Sequence, residues 1–345
     1  MRDKNPIIKK TTIPFKDLRS LRVPYAGNCA PDHEKLDVRG NCNCDCDCDC
    51  HCDCYYAQDC ACDCEQSFCD CNCVCDCGGW VKEGTLLIPE GTKKIQPHTY
   101  RQRGQIREVI LPSGLEVIGS LAFYLCQSLH TVNFPEGLLE IEESAFCSTA
   151  LKEVVLPDSV TRLGGSAFNS CKNLKRVRIG RGLKELSMCG VFCNSLAIES
   201  FVVDEENPYF KAVDGALLSK DGKTFYVYPA GKKEEEYVLP DGVETVATYA
   251  FAKNQHLKKV FLPDGLKTVR AYAFSDTAVE EFSFPKSINY VEDRGFAGCN
   301  KLWKIRFRGK RSEYHLKTDS SWAFSINGKG EQPNVYTEDG YCWGV

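Results

Sequence analysis

Apolar and polar positions along this chain recur in one phrase. Ile106, Val109 and Leu111 alternate with Glu108 and Ile110, the period-two pattern of a short strand with one face buried. Pro112-Ser113-Gly114 breaks that strand, and equivalent breaks return at Pro135-Glu136-Gly137, Pro240-Asp241-Gly242 and Pro263-Asp264-Gly265. Leu115 and Ile118 then point inward, and Ala122-Phe123 closes the unit on the opposite side. Units start at Ile106, Leu129, Leu151, Leu174 and Ile198, and again at Leu257, Val279 and Leu302, at intervals of 22 to 24 residues. A fixed period of this size predicts a solenoid, in which no unit buries its apolar face except by stacking on its neighbours. Phe123, Phe146, Phe168, Phe192, Phe251, Phe274 and Phe296 hold one phase of the period, so stacking predicts a continuous aromatic column.

The strand-Pro element and the Ala-Phe element recur in register. Together they resemble the BspA-like class of bacterial leucine-rich repeats, whose unit reads LxxLxLPxxLxxIxxxAFxxC. The resemblance covers roughly residues 80–309. It implies an α/β-type solenoid: a leucine-rich repeat arc with a parallel sheet on its concave side and short turns or helical segments on its convex side. Two further pieces are similar to parts of the family. Residues 204–235 look like its hairpin insertion, with Ala216 to Ser219 and Thr224 to Tyr228 flanking Lys220-Asp221-Gly222-Lys223. Residues 310–345 resemble its C-terminal cap, which shields the open end of the sheet. The first unit has Thr99-Tyr100 where others have Ala-Phe, as an atypical terminal unit requires, and Trp80 is expected to cover the N-terminal edge.

Charge divides what the repeat leaves over. Residues 1–41 carry nine Lys/Arg against five Asp/Glu, and this basic segment is expected to be flexible. Residues 42–79 carry nine Asp/Glu and no Lys or Arg, and the whole chain has a formal net charge of -4. No region is basic enough to argue for nucleic acid. No stretch is long and apolar enough to span a membrane, and the N-terminus shows no signal peptide. That reads as cytoplasmic, whereas the family resemblance implies a secreted or surface protein, commonly with an adhesive role.

Fifteen of the 23 cysteines fall in the low-complexity tract 42–79: Cys42, Cys44, Cys46, Cys48, Cys50, Cys52, Cys54, Cys60, Cys62, Cys64, Cys69, Cys71, Cys73, Cys75 and Cys77. Extended, the alternation with Asp puts thiols on one side and carboxylates on the other. With so little apolar content the tract is expected to be disordered unless cross-linked. Three readings stay open. Cys-x-Cys spacing suits Zn, Cu(I) or an iron–sulfur cluster, although metallothioneins, which the tract resembles in cysteine density, interleave Lys rather than Asp. Disulfides require an oxidising compartment and bridges between sub-runs, since pairing Cys i with Cys i+2 is strained. A low-complexity expansion requires nothing further.

No catalytic constellation is present. The six His fall at unrelated repeat phases, and phosphate-binding Gly loops, G-x-S-x-G and H-E-x-x-H are absent. Cys126, Cys171 and Cys299 each follow the column Phe by three residues, where other units carry Thr149, Ser195, Asn254 and Thr277. Small, weakly hydrogen-bonding residues fit a structural role at a turn.

The remaining candidate is the concave face. One outward column, from Glu108 to Lys304, is charged and of mixed sign. The other holds Ile110, Asn133, Val155, Arg178, Val202, Val238, Phe261, Ser283 and Arg306. It is apolar through Val202, Val238 and Phe261, where alternation predicts polar residues; exposed, such a run marks an interface. The alternative is that the insertion folds over it. The leading reading is a non-enzymatic scaffold binding a protein partner, with Arg178 and Arg306 flanking the apolar run. A second is metal sequestration by the tract; a third makes the tract a substrate for a modifying enzyme, with residues 1–41 as leader. The sequence names neither the partner nor an oligomeric state.

Overall fold

The computed structural model describes residues 80–82, 84–187, 190–313, 317–318 and 333–340. The expectations for residues 1–79, disorder and the Cys/Asp tract among them, lie outside the described residues, as does most of the proposed cap. From Thr85 onward the chain winds as a β-solenoid. Each regular coil gives a strand of three or four residues to one ladder and a strand of two to another. We term these the long-strand and short-strand faces.

On the long-strand face Thr85–Leu87, Glu108–Ile110 and Thr131–Asn133 pair in parallel, one residue to one. Glu153–Val155, Arg176–Ile179 and Ser200–Val203 do the same, and so does the series from Glu236–Val238 through Lys259–Phe261 and Glu281–Phe284 to Lys304–Phe307. Because this register never slips, equivalent side chains form straight columns. The middle residues Val109, Val154, Val177, Val260 and Ile305 all point into the core and are buried. At the N-terminal edge Trp80–Lys82 pairs antiparallel with Thr85–Leu87, satisfying backbone groups that the first coil leaves open.

The aromatic column forms as the phase predicts. Tyr100 stacks on Phe123 at 5.3 Å, Phe123 on Phe146 at 5.1 Å, Phe146 on Phe168 at 5.5 Å and Phe168 on Phe192 at 5.7 Å. Tyr100 thus replaces Phe in the first unit with its ring still buried. The column stops at Phe192, which turns its edge contact to Phe201. It resumes with Tyr228 on Phe251 at 5.3 Å, then Phe274 and Phe296.

The turn side departs from expectation: helical segments are not supported. Among the described residues the helical element is one 3-10 turn, Arg311–Glu313, beyond the last repeat. The reason is a periodic reversal of the backbone. Residues two before and two after each column aromatic have positive φ: Leu121 and Leu125 about Phe123, Ser144 and Ser148 about Phe146, Tyr272 and Asp276 about Phe274. Left-handed residues at that spacing prevent a helix from propagating. They turn alternate N–H groups outward along the stack. Leu121, Phe123 and Leu125 donate to Glu143, Ala145 and Cys147 of the next coil at 2.8–2.9 Å, while Ala122, Tyr124 and Cys126 donate within their own coil.

The insertion has three strands where the sequence indicated two. Phe210–Val213 and Ala216–Ser219 are antiparallel about Asp214-Gly215, both with positive φ, which is the geometry of a tight primed hairpin turn. Ala216–Ser219 then pairs antiparallel with Thr224–Val227, and Thr224–Val227 resumes the short-strand ladder against Thr245–Val246. Asn207 anchors the entrance: its buried amide donates to Gly180 and Leu183 carbonyls at 2.8 and 3.2 Å and accepts from the N–H groups of Tyr209 and Phe210, both at 2.8 Å. The buried strand Ala216–Ser219 divides the core. Leu217 packs with the cluster running from Leu86, whereas Ala216 and Leu218 pack with the cluster running to Val335.

Candidate functional site

The solvent side of the long-strand face carries two columns of different character. The first is paired across strands, Arg176 with Glu153 at 3.4 Å, Lys259 with Glu236 at 3.2 Å and Lys304 with Glu281 at 3.7 Å. Exposed pairs of this kind contribute at most about 1 kcal/mol each. The second presents Ile110, Val155, Val202, Val238 and Phe261 to solvent. Val202 is 50 %, Val238 66 % and Phe261 48 % exposed, so the alternative in which the insertion folds over these residues is overturned. Its strands enter the short-strand ladder instead, with the Asp214-Gly215 turn lying beside Ser200 rather than over the patch.

Register places the five expected contact residues in three groups. Arg178 sits opposite Val202. Val238 sits opposite Phe261 in the next sheet segment. Arg306 sits opposite Ser283, further along. Between the first two groups the sheet is interrupted, because Ser200–Val203 ends one segment and Glu236–Val238 begins another. A cleft of about 490 Å³ opens there, lined by Glu199, Ser200, Asp214, Gly215, Lys232, Glu234, Glu236, Tyr237 and Val238. Sequence reasoning missed this cleft. Its one local signal is the hydroxyl of Tyr237, at a core phase held elsewhere by apolar residues such as Val109, Val177, Phe201, Val260 and Phe282.

Tyr237 is buried, and its hydroxyl has no hydrogen-bond partner. Burial pushes its pKa well above the ordinary tyrosine range, with Asp214 and Glu234 acting in the same direction. Its neighbour Tyr228, 4.7 Å away ring to ring, is satisfied by donating to Glu234 at 2.9 Å.

The turn cysteines are structural. Cys126, Cys171 and Cys299 are buried free thiols that donate to the carbonyls of Tyr100, Phe146 and Phe274 at 3.0, 3.2 and 2.9 Å. Each acceptor belongs to the column aromatic of the preceding coil. Ser195 does the same to Phe168 at 2.7 Å. Burial raises each of the three thiols from 9.0 to about 11, so they remain protonated and poor nucleophiles. The fifteen tract cysteines lie outside the described residues. Among the described residues no group of three or more His, Cys, Asp or Glu could hold a metal ion, and no helix is long and apolar enough to cross a membrane.

Known structures share this winding. The pneumococcal vaccine antigen PcpA is similar over 74 % of this chain and 74 % of its own, at 24 % identity and a TM-score of 0.53. A leucine-rich repeat protein from Eubacterium ventriosum is similar over 75 % of each chain, at 22 % identity and a TM-score of 0.55. A leucine rich cell surface protein from Faecalibacterium prausnitzii matches over 72 % of this chain and 64 % of its own, at 21 % identity and a TM-score of 0.51. At these identities the likeness concerns the fold alone. No curated protein matches the sequence. The family model for the BspA type leucine rich repeat region matches residues 93–212 and 226–326 in six copies. That is well over half of the 345 residues, and the chain belongs to this family.

Proposed function

We propose that this protein is a non-enzymatic scaffold that binds a protein partner on its long-strand face, through Val202, Val238 and Phe261 with Arg178 and Arg306 at the margins. The observation that carries the reading is the set of apolar side chains left open on the long-strand face, beside an outward column in which Glu153, Glu236 and Glu281 are paired with basic neighbours. Apolar side chains clustered on one exposed sheet face provide the desolvated centre of an interface, and the flanking arginines a polar rim. The matching family is a repeat family rather than a catalytic one. The similar structures include a vaccine antigen and a cell surface protein, which supports display outside the cell as the setting for that partner.

A photoreactive phenylalanine analogue at Phe261, introduced in the native cell, should give a discrete cross-linked adduct. The same analogue at Lys172, on an exposed turn, should not. Identical labelling at both positions removes the reading. With the analogue moved to Val238, Phe261→Asp should abolish the adduct without changing the thermal midpoint. The sequestration reading rests on the tract alone, and equal metal content in anaerobically purified full-length and tract-deleted protein would remove it.

A further inference from the structure

We infer that the cleft interrupting the long-strand face takes an extended, basic segment of the partner, which adds as a strand to the open edge of Glu236–Val238. The inference rests on the binding reading above and gives the partner its chemistry. Three independent observations converge on it.

The first is the backbone. Thr131, Ser200 and Lys259 begin their strands by donating N–H to the preceding coil, to Arg107, Lys175 and Glu235. Glu236 holds the same position, but among the described residues it has no preceding strand to donate to, since there Glu236–Val238 pairs only with Lys259–Phe261. Leu239 donates to Phe261 on the far side, so by the alternation of a parallel strand the N–H groups of Glu236 and Val238 face the cleft. On the opposite wall, the Phe201 N–H is already taken by the Gly215 carbonyl at 2.9 Å. The open edge is therefore that of Glu236–Val238, and an open edge is a template for an added strand.

The second is Tyr237, a residue of the cleft lining whose hydroxyl is buried without a partner. A buried hydroxyl in that condition is costly, and a peptide carbonyl laid along the edge would accept from it. The third is charge. Glu199, Asp214, Glu234 and Glu236 line the cleft against one ammonium, Lys232. Glu199 and Glu236 are also paired outward with Lys175 and Lys259, and Glu234 with Lys232, whereas Asp214 has no ion pair among the described residues. The unpaired carboxylate of Asp214 in this acidic lining selects a basic segment over an acidic one.

The test uses the full chain and three labelled heptapeptides: alternating Lys and Val, alternating Glu and Val, and the Lys/Val peptide N-methylated at alternate residues. The Lys/Val peptide should bind by fluorescence anisotropy, and the other two should bind at least about tenfold more weakly. Tyr237→Phe should weaken the Lys/Val peptide about fivefold, as loss of one net hydrogen bond does. The same variant should leave the free protein as stable or more stable, because it deletes an unsatisfied group. A purely structural tyrosine would not give those opposite signs. Equal binding of the N-methylated peptide removes the added strand, and equal binding of the Glu/Val peptide removes the charge selection. No binding of the Lys/Val peptide at millimolar concentration overturns the inference. None of these results alters the Phe261 cross-linking outcome, because Phe261 does not line the cleft, so failure of the two readings can be told apart.

Discussion

At the residue scale the buried thiols show how a repeat uses one position. Three residues beyond a column aromatic, Cys126, Cys171, Ser195 and Cys299 reach back to the carbonyl of the previous one, whereas Thr149 bonds the carbonyl of Phe146 in its own coil; each is small and carries a donor. Their titration makes the stability pH-dependent on the alkaline side. The thiols of Cys126, Cys171 and Cys299 hold their protons in the fold to about 11, while in the unfolded chain they lose them near the ordinary 9.0. The folded state thus binds more protons between those values, and stability falls as pH rises through that window. Tyr228 and Tyr237, also pushed up by burial, add in the same direction. Urea midpoints should be flat from neutral pH to about pH 8 and decline from about pH 9 to about pH 11. A triple Cys→Ser variant should show a shallower decline, and an unchanged slope would rule out the thiols as its source.

At the scale of elements, strands and breaks were legible because their signals are local: alternation at Ile106 to Leu111 and Pro-Ser-Gly immediately after it. The turn side was not. Leu121, Tyr249 and Lys253 have positive φ, and none of these residue types favours that conformation by itself. It is imposed by hydrogen bonds to the next coil, such as Lys253 N–H to the Ser275 carbonyl at 2.7 Å, and bonds over that sequence distance leave no local mark. The contribution of backbone alone is separable at Lys253, whose side chain is exposed. Lys253→Val should be less stable than Lys253→Gly by about 1–2 kcal/mol in chemical denaturation, since only Val resists positive φ. Equal midpoints would show that the turn relaxes. The cleft escaped notice for a related reason: Tyr237 reads as one more apolar-phase residue until the strand that should precede it is found to be missing.

At the scale of the molecule the insertion is a wall within the core. Adjacent residues on one strand serve different halves, Leu217 the coils before it and Leu218 the coils after it. A stack held together by nearest-neighbour contacts transmits stability poorly across such a wall. Leu217→Ala should therefore speed amide exchange in the strands from Glu108–Ile110 to Arg176–Ile179 and spare those from Lys259–Phe261 to Lys304–Phe307. Leu218→Ala should do the reverse, each with a local cost of about 3 kcal/mol. A uniform response to either substitution would mean one cooperative core.

The same wall bears on descent. A regular coil touches only the coil on either side, so duplication or loss of one 22- to 24-residue unit disturbs a single junction. Ala216–Ser219 has no such freedom, because both its faces are committed to different neighbours. Adding or removing one coil on either side of the seam therefore costs a single junction, whereas a change at the seam itself disturbs both halves.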